Sequence, residues 1–178
     1  SSRGIVAVCD LLSSRIDRPL ETFRAAAERG LRTRVALYPG WDPAAPLADL
    51  SLGDREGPVR IAGVKVVLDG AYSNRTAWVH EAYPDSCDHG LRLVDDADVL
   101  AAGDWARRNG VQLAVHAMGD RALDRVVELF EDAEPWLDGI PSVRIEHATI
   151  VSDAYLARLR SARMRFGIAT HTVFFFAE

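Results

Sequence analysis

The chain has 178 residues, of which 48% are hydrophobic and 26% charged, with a net charge of −5. This composition is globular, and the length suits one domain with a sizeable core. The acidic balance and the lack of any basic run argue against nucleic acid or an anionic membrane as partner. No apolar run approaches the length of a membrane span. The two cysteines, Cys9 and Cys87, form no CxxC pair, so a reducing, cytoplasmic setting is expected. The opening SSRGIVAVCD reads as the interior of a longer protein, so the chain is expected to be a segment.

Taken in order, IVAV at 5–8 predicts a short strand, and PLETFRAAAERG at 19–30 a helix with Pro at its start and Gly at its stop. TRVALY at 33–38 is a strand, followed by a Pro-, Asp- and Gly-rich loop to about residue 59. IAGVKVVL at 61–68 is the next strand, and 70–94 is irregular. A helix over 95–109 leads to the strand VQLAVH at 111–116. A helix over about 121–133, with Asp120 as its cap, leads to the strand VRIEH at 143–147. A helix over 153–163 and the strand RFGIAT at 165–170 close the series. Six strands alternate with helices or loops, and most are continuous apolar runs, as in parallel sheets covered on both faces. The class is α/β. A full (β/α)₈ barrel takes about 250 residues, so the chain would hold roughly six of eight units. An open doubly wound sheet is the other option, but neither GxGxxG nor GxxxxGK[ST] occurs to support it.

Lys65 is the only lysine; the other 20 basic residues are arginine. Arginine cannot lose its proton in a protein, whereas a desolvated lysine can, and can then act as base, nucleophile or carbamate. The alternative is a lysine whose head snorkels from the strand end or pairs with Asp69. His116 and His147 each end a strand, where ligands bind in parallel α/β folds. Each alone could be a core histidine with its hydrogen bonds met. Together with Lys65 they make three polar groups at three strand ends, a pattern suited to zinc or a similar metal. By strand alternation Val143, Ile145 and His147 share one face, and Arg144 and Glu146 the other. If His147 points inward, Glu146 is expected to point toward the helices. Asp69 and Arg75, in or near the irregular stretch, are candidate substrate contacts, as is His171 after the last strand. His80 and His89 are expected at the surface.

Three stretches, GVKVVLDGAYSNRTAWVHEAY, VHAMGDRA and RIEHATI, resemble amidohydrolase family 3 of the amidohydrolase superfamily. Family members read approximately GVK…DGS…RTA…EPY, HAIGDRA and RIEHA in this order, and the likeness covers about residues 60–150. It implies a metal-dependent hydrolase acting on C–N bonds of amides, imides or formamides, with a metal-activated hydroxide attacking a carbonyl. The fold implied is a partial (β/α)₈ TIM barrel, about strands 2–7, as one domain over 1–178 without the family's β-sandwich subdomain. Lys65 would be the lysine that can be carboxylated and bridge two metals, and His116 and His147 would be ligands. The cofactor implied is a divalent metal, zinc, one or two per complete site. The family's HxH pair is absent here, no counterpart of its last catalytic Asp is present, and ATH at 169–171 matches its strand-seven ending poorly. The segment by itself is therefore expected to bind metal weakly and to be inactive. Two further readings stay open: a Schiff-base lysine enzyme, and a non-catalytic scaffold or binding module. The expected partner is a small-molecule substrate, with self-association through exposed edge strands and the apolar VFFF at 173–176.

Overall fold

The structure is a computed structural model that describes residues 4–170. Its elements are β1 (Ala7–Leu11), α1 (Pro19–Glu28), β2 (Arg34–Tyr38), α2 (Leu52–Arg55), β3 (Val59–Ile61) and β4 (Gly63–Val67). These are followed by α3 (Asp96–Asn109), β5 (Gln112–Ala117), α4 (Asp120–Phe130), β6 (Val143–His147), α5 (Asp153–Ser161) and β7 (Phe166–Ala169). The expected helices and strands are all present, with ends moved by a few residues. The first strand is displaced furthest, from 5–8 to Ala7–Leu11.

All strand pairing within the two sheets is parallel, in the orders β1-β2-β3 and β4-β5-β6-β7. The single strand expected at 61–68 is two pieces. β3 pairs with β2, and β4 pairs with β5. The backbone links the sheets across the break. Ala62 N–H donates to the Leu37 carbonyl at 2.9 Å, and Lys65 N–H to the Pro39 carbonyl at 2.8 Å. Gln112 N–H donates to the Ala62 carbonyl at 3.0 Å. The strands therefore follow one another in chain order, as the right-handed crossover rule favours.

Side chains on non-neighbouring strands show how strongly this sheet curls. Arg144 of β6 puts its guanidinium 3.5 Å from Cys9 Sγ on β1 and 5.9 Å from the ring centre of Tyr38 on β2. β6 lies four strand positions from β1, roughly 19 Å in a flat sheet at about 4.8 Å per strand. One arginine cannot span that distance, so the sheet must bend round on itself. The architecture is mixed α/β with parallel sheets, as in part of a (β/α)₈ barrel.

The helices cover the outer face. Val64, Val66, Leu113, Val115, Val143 and Ile145 are buried against Val99, Trp105, Leu123, Val126 and Val127 of α3 and α4. A smaller cluster packs Leu20 and Phe23 of α1 on Val35, Leu37 and Val59. Helix α3 begins as the sequence indicates, with the Asp95 carboxylate accepting from Asp98 N–H at 2.9 Å. It stops at Gly110, whose φ of 60° is the left-handed conformation that glycine tolerates. α2 was not anticipated, although Ser51 and Asp54 form the reciprocal capping box that Ser-x-x-Asp can encode. No helix among the described residues is long and apolar enough to cross a membrane.

Asp120 is not the cap of α4. Gly119 takes that position, and Asp120 is the first helical residue, with Oδ1 accepting from Arg121 N–H at 2.8 Å and His80 N–H at 2.9 Å. His171 and the apolar 173–176 segment lie outside the described residues.

Candidate metal centre

The outward valines of β4 fix the direction of Lys65. With Val64 and Val66 in the helix-facing core, the residue between them must face the other way. The same parity puts Gln112, Ala114 and His116 of β5, and Arg144 and Glu146 of β6, on this inner face. Lys65, Ala114 and Arg144 lie in one cross-strand row, and Val67, His116 and Glu146 in another. Ala114 is the small member of its row and leaves room for two long side chains.

This corrects the expected direction of Glu146. It points inward, away from the helices, and is 2% exposed. Arg144 Nε lies 2.6 Å from its Oε1. Arg144 and Glu146 therefore pair on the inner face. The sequence carried the signal: Val143 and Ile145 match Val64 and Val66, so the apolar positions of β6 mark its outer face. By that parity His147 should point outward as well. It does not follow the alternation, because its backbone leaves the extended region, with φ of 76° at His147 and 46° at Ala148. Ala148 N–H still donates to the Ala117 carbonyl at 3.1 Å, so the turn is held against β5. The result is a His147 ring edge-on to that of His116, with centres 4.6 Å apart and planes inclined at 66°.

His116 is oriented by the chain after β4. Its Nε2 donates to the Gly70 carbonyl at 2.9 Å and lies 3.5 Å from Asp69 Oδ1. A carbonyl can only accept, so Nε2 carries the proton and, in the neutral ring, Nδ1 keeps the lone pair. Lys65 is 4% exposed, and its Nζ has no hydrogen-bond partner among the described residues. Burial pushes its pKa down to about 8, with Glu146 pulling it up and Arg144 pushing it further down. A buried amine without a hydrogen bond is costly unless something else binds it. Two imidazoles this close fit one metal ion with bonds of about 2 Å. Among the described residues no group of three His, Cys, Asp or Glu could hold a metal, so a three-ligand set here would need Lys65.

Asp69, expected at the substrate, is wholly buried. Its carboxylate accepts from the backbone N–H groups of Trp78 at 3.0 Å, Met118 at 3.0 Å and Gly119 at 2.8 Å. Burial raises its pKa, while these three donors and His116 pull it down. Asp69 thus ties the segment after β4 to the turn after β5. Gly119 is required there, because a Cβ would run into the Trp78 carbonyl. Arg75 is exposed, with φ of 56°, and lines an open hollow of about 290 Å³ with Tyr72, Ser73, Tyr83 and Pro84. His80 is at the surface as expected, paired with Asp124 at 2.9 Å.

Known proteins resemble this chain in sequence and in fold. The putative amidohydrolase YtcJ of Bacillus subtilis (strain 168) is 30% identical over 119 residues, which is 66% of this chain and 22% of that protein. Protein LONG AFTER FAR-RED 3 of Arabidopsis thaliana is 33% identical over 90 residues, 49% of this chain and 15% of that protein. The chain thus covers under a quarter of each of these relatives. An uncharacterized metal-dependent hydrolase from Pyrococcus furiosus superposes with a TM-score of 0.75 at 32% identity, over 93% of this chain and 34% of that one. Another from Pyrococcus horikoshii OT3 gives 0.66 at 28% identity, over 85% of this chain and 31% of that one. The model of the amidohydrolase family matches residues 1–178. With that match running the length of the sequence, the chain belongs to the amidohydrolase family.

Proposed function

We propose that the chain supplies part of the catalytic site of a metal-dependent hydrolase acting on non-peptide C–N bonds, with Lys65, His116 and His147 as ligands of a divalent metal, zinc. The observation that carries this reading is the close approach of His116 and His147 at adjacent strand ends, with the His116 tautomer set by Gly70. A carbonyl that orients one ring nitrogen of a histidine is the usual support of a metal-ligating imidazole. When bound, the metal would polarise a carbonyl and activate water. Lys65 would join as a carbamate. Its neutral amine attacks the carbon of CO₂, the lost proton goes to solvent, and an anionic oxygen ligand results. The lowered pKa favours that neutral amine at mild alkaline pH. Glu146 and Arg144 hold the neighbouring inner face. Asp69 fixes the two segments that carry Gly70 and His116 relative to each other.

Zinc titration of the 178-residue chain by calorimetry, in bicarbonate buffer, tests the ligand set. His116→Ala and His147→Ala should each weaken binding at least tenfold, and Lys65→Arg should weaken it without loss of helical circular dichroism. Unchanged affinity in both histidine variants would end this reading. Hydrolysis of N-acyl and N-formyl compounds is to be measured in a protein of the relatives' length that contains this segment. There, Lys65→Arg should abolish turnover.

A second reading draws on the same buried amine: Lys65 as a Schiff-base nucleophile. Borohydride trapping of a carbonyl compound on Lys65, by mass spectrometry, would favour it. No adduct is expected.

A further inference from the structure

A cavity of about 400 Å³ lies outside the candidate ligand set, with none of Lys65, His116 and His147 in its walls. Its walls come from the segment after β4, from Asp120 three residues past β5, and from Ile150 three residues past β6. It therefore lies at the strand ends that carry His116 and His147, where α/β folds bind ligands. Its volume falls within the range of about 300–1,000 Å³ of small-molecule sites.

The lining has a definite chemistry. Glu81 and Asp120 contribute carboxylates, His80 contributes a ring whose Nε2 lies 2.9 Å from Asp124, and among the described residues no arginine or lysine lines the cavity. Neither carboxylate is ion-paired among the described residues. Asp120 Oδ1 is taken up by two backbone N–H groups, which hold the carboxylate in place. Tyr72 and Tyr83 add aromatic surface, their ring centres 5.8 Å apart, and Val79 and Ile150 add apolar wall. Two unpaired carboxylates beside aromatic faces favour a cation, and the apolar wall suits methylene groups. The adjoining hollow shares Tyr72, Tyr83 and Pro84 but carries Arg75, so a cation is repelled from that side.

We propose that this cavity binds the ammonium end of a short aliphatic amine, and that the substrates are N-acylated amines carrying a second, free amino group. The substrate assignment rests on the hydrolase reading above; the binding site does not.

The test is direct binding, without metal or turnover. 1,4-Diaminobutane is titrated into the 178-residue chain by calorimetry, with 1,4-butanediol as the neutral match. The diamine is expected to bind at least tenfold more tightly than the diol. The double variant Glu81→Gln, Asp120→Asn is expected to lose about three- to tenfold, the size of a few partly exposed charge contacts. Arg75→Gln should leave diamine affinity unchanged or raise it. If the double variant fails to fold by circular dichroism, Glu81→Gln alone carries the test, since that side chain is exposed. Equal binding of diamine and diol, or undiminished binding in the variant, would overturn the proposal. In a metal-loaded protein of the relatives' length, N-acetyl-1,4-diaminobutane should be cleaved in preference to N-acetylbutylamine. Diamine binding without cleavage of either compound would sink the hydrolase reading and leave the site standing. Cleavage of both with no diamine binding would do the reverse.

Discussion

The Nε2 proton of His116 points at the carbonyl of Gly70, 2.9 Å away, and so decides which of its ring nitrogens is left to bind anything else. Nitrogen-15 NMR at neutral pH should show His116 as the Nε2–H tautomer, and zinc should then perturb Nδ1. A dominant Nδ1–H form, or a zinc shift confined to Nε2, would contradict this geometry.

Asp69 is a structural clamp. Asp69→Ala would leave the N–H groups of Trp78, Met118 and Gly119 without an acceptor in a buried place. Each such loss costs about 1–3 kcal/mol, so a destabilisation of about 3–5 kcal/mol is expected in urea unfolding. Asp69→Asn keeps one acceptor oxygen and should fall between Ala and the parent. A loss below about 1 kcal/mol for Asp69→Ala would remove the clamp role.

Lys65 makes the stability of the metal-free chain depend on alkaline pH. Its pKa is about 8 in the folded protein and 10.5 as a free side chain. Folding therefore disfavours the protonated form, and the cost is fully present below about pH 8. It is relieved as pH rises from about 8 toward 10.5, where both states hold a neutral amine. Relative to Lys65→Met, the parent should gain up to about 3 kcal/mol across that window. A flat difference between pH 7.5 and 10.5 would show that Lys65 is solvated or neutralised by Glu146.

Among the described residues β1 pairs only with β2, so its other side is an open edge. Ile5, Val6 and Val8 are 53%, 72% and 41% exposed, and on the opposite edge Ile168 of β7 is 44% exposed. Exposed edges of this kind recruit other strands. Sedimentation velocity should show concentration-dependent association of the 178-residue chain, reduced by Val6→Lys. A monomer at every concentration would refute it.

The succession of apolar runs and helical stretches was enough to determine the α/β class and nearly every element. The direction of Lys65 was not read from the sequence, although Val64 and Val66 carried it, since their burial against the helices leaves a strand no other choice. The strand-end positions of His116 and His147 were equally legible, because they follow from where each apolar run stops. Two things were decided only by tertiary structure. The direction of His147 depends on a left-handed turn at residues 147 and 148, held by the Ala148–Ala117 hydrogen bond, and local alternation contains no information about a partner 31 positions away. The job of Asp69 depends on backbone donors at 78, 118 and 119, which converge on one carboxylate only after the sheet has curled. An aspartate at the start of an irregular stretch reads as a candidate substrate contact in sequence, and it is the burial of its partners' otherwise unmet hydrogen bonds that draws it into the interior.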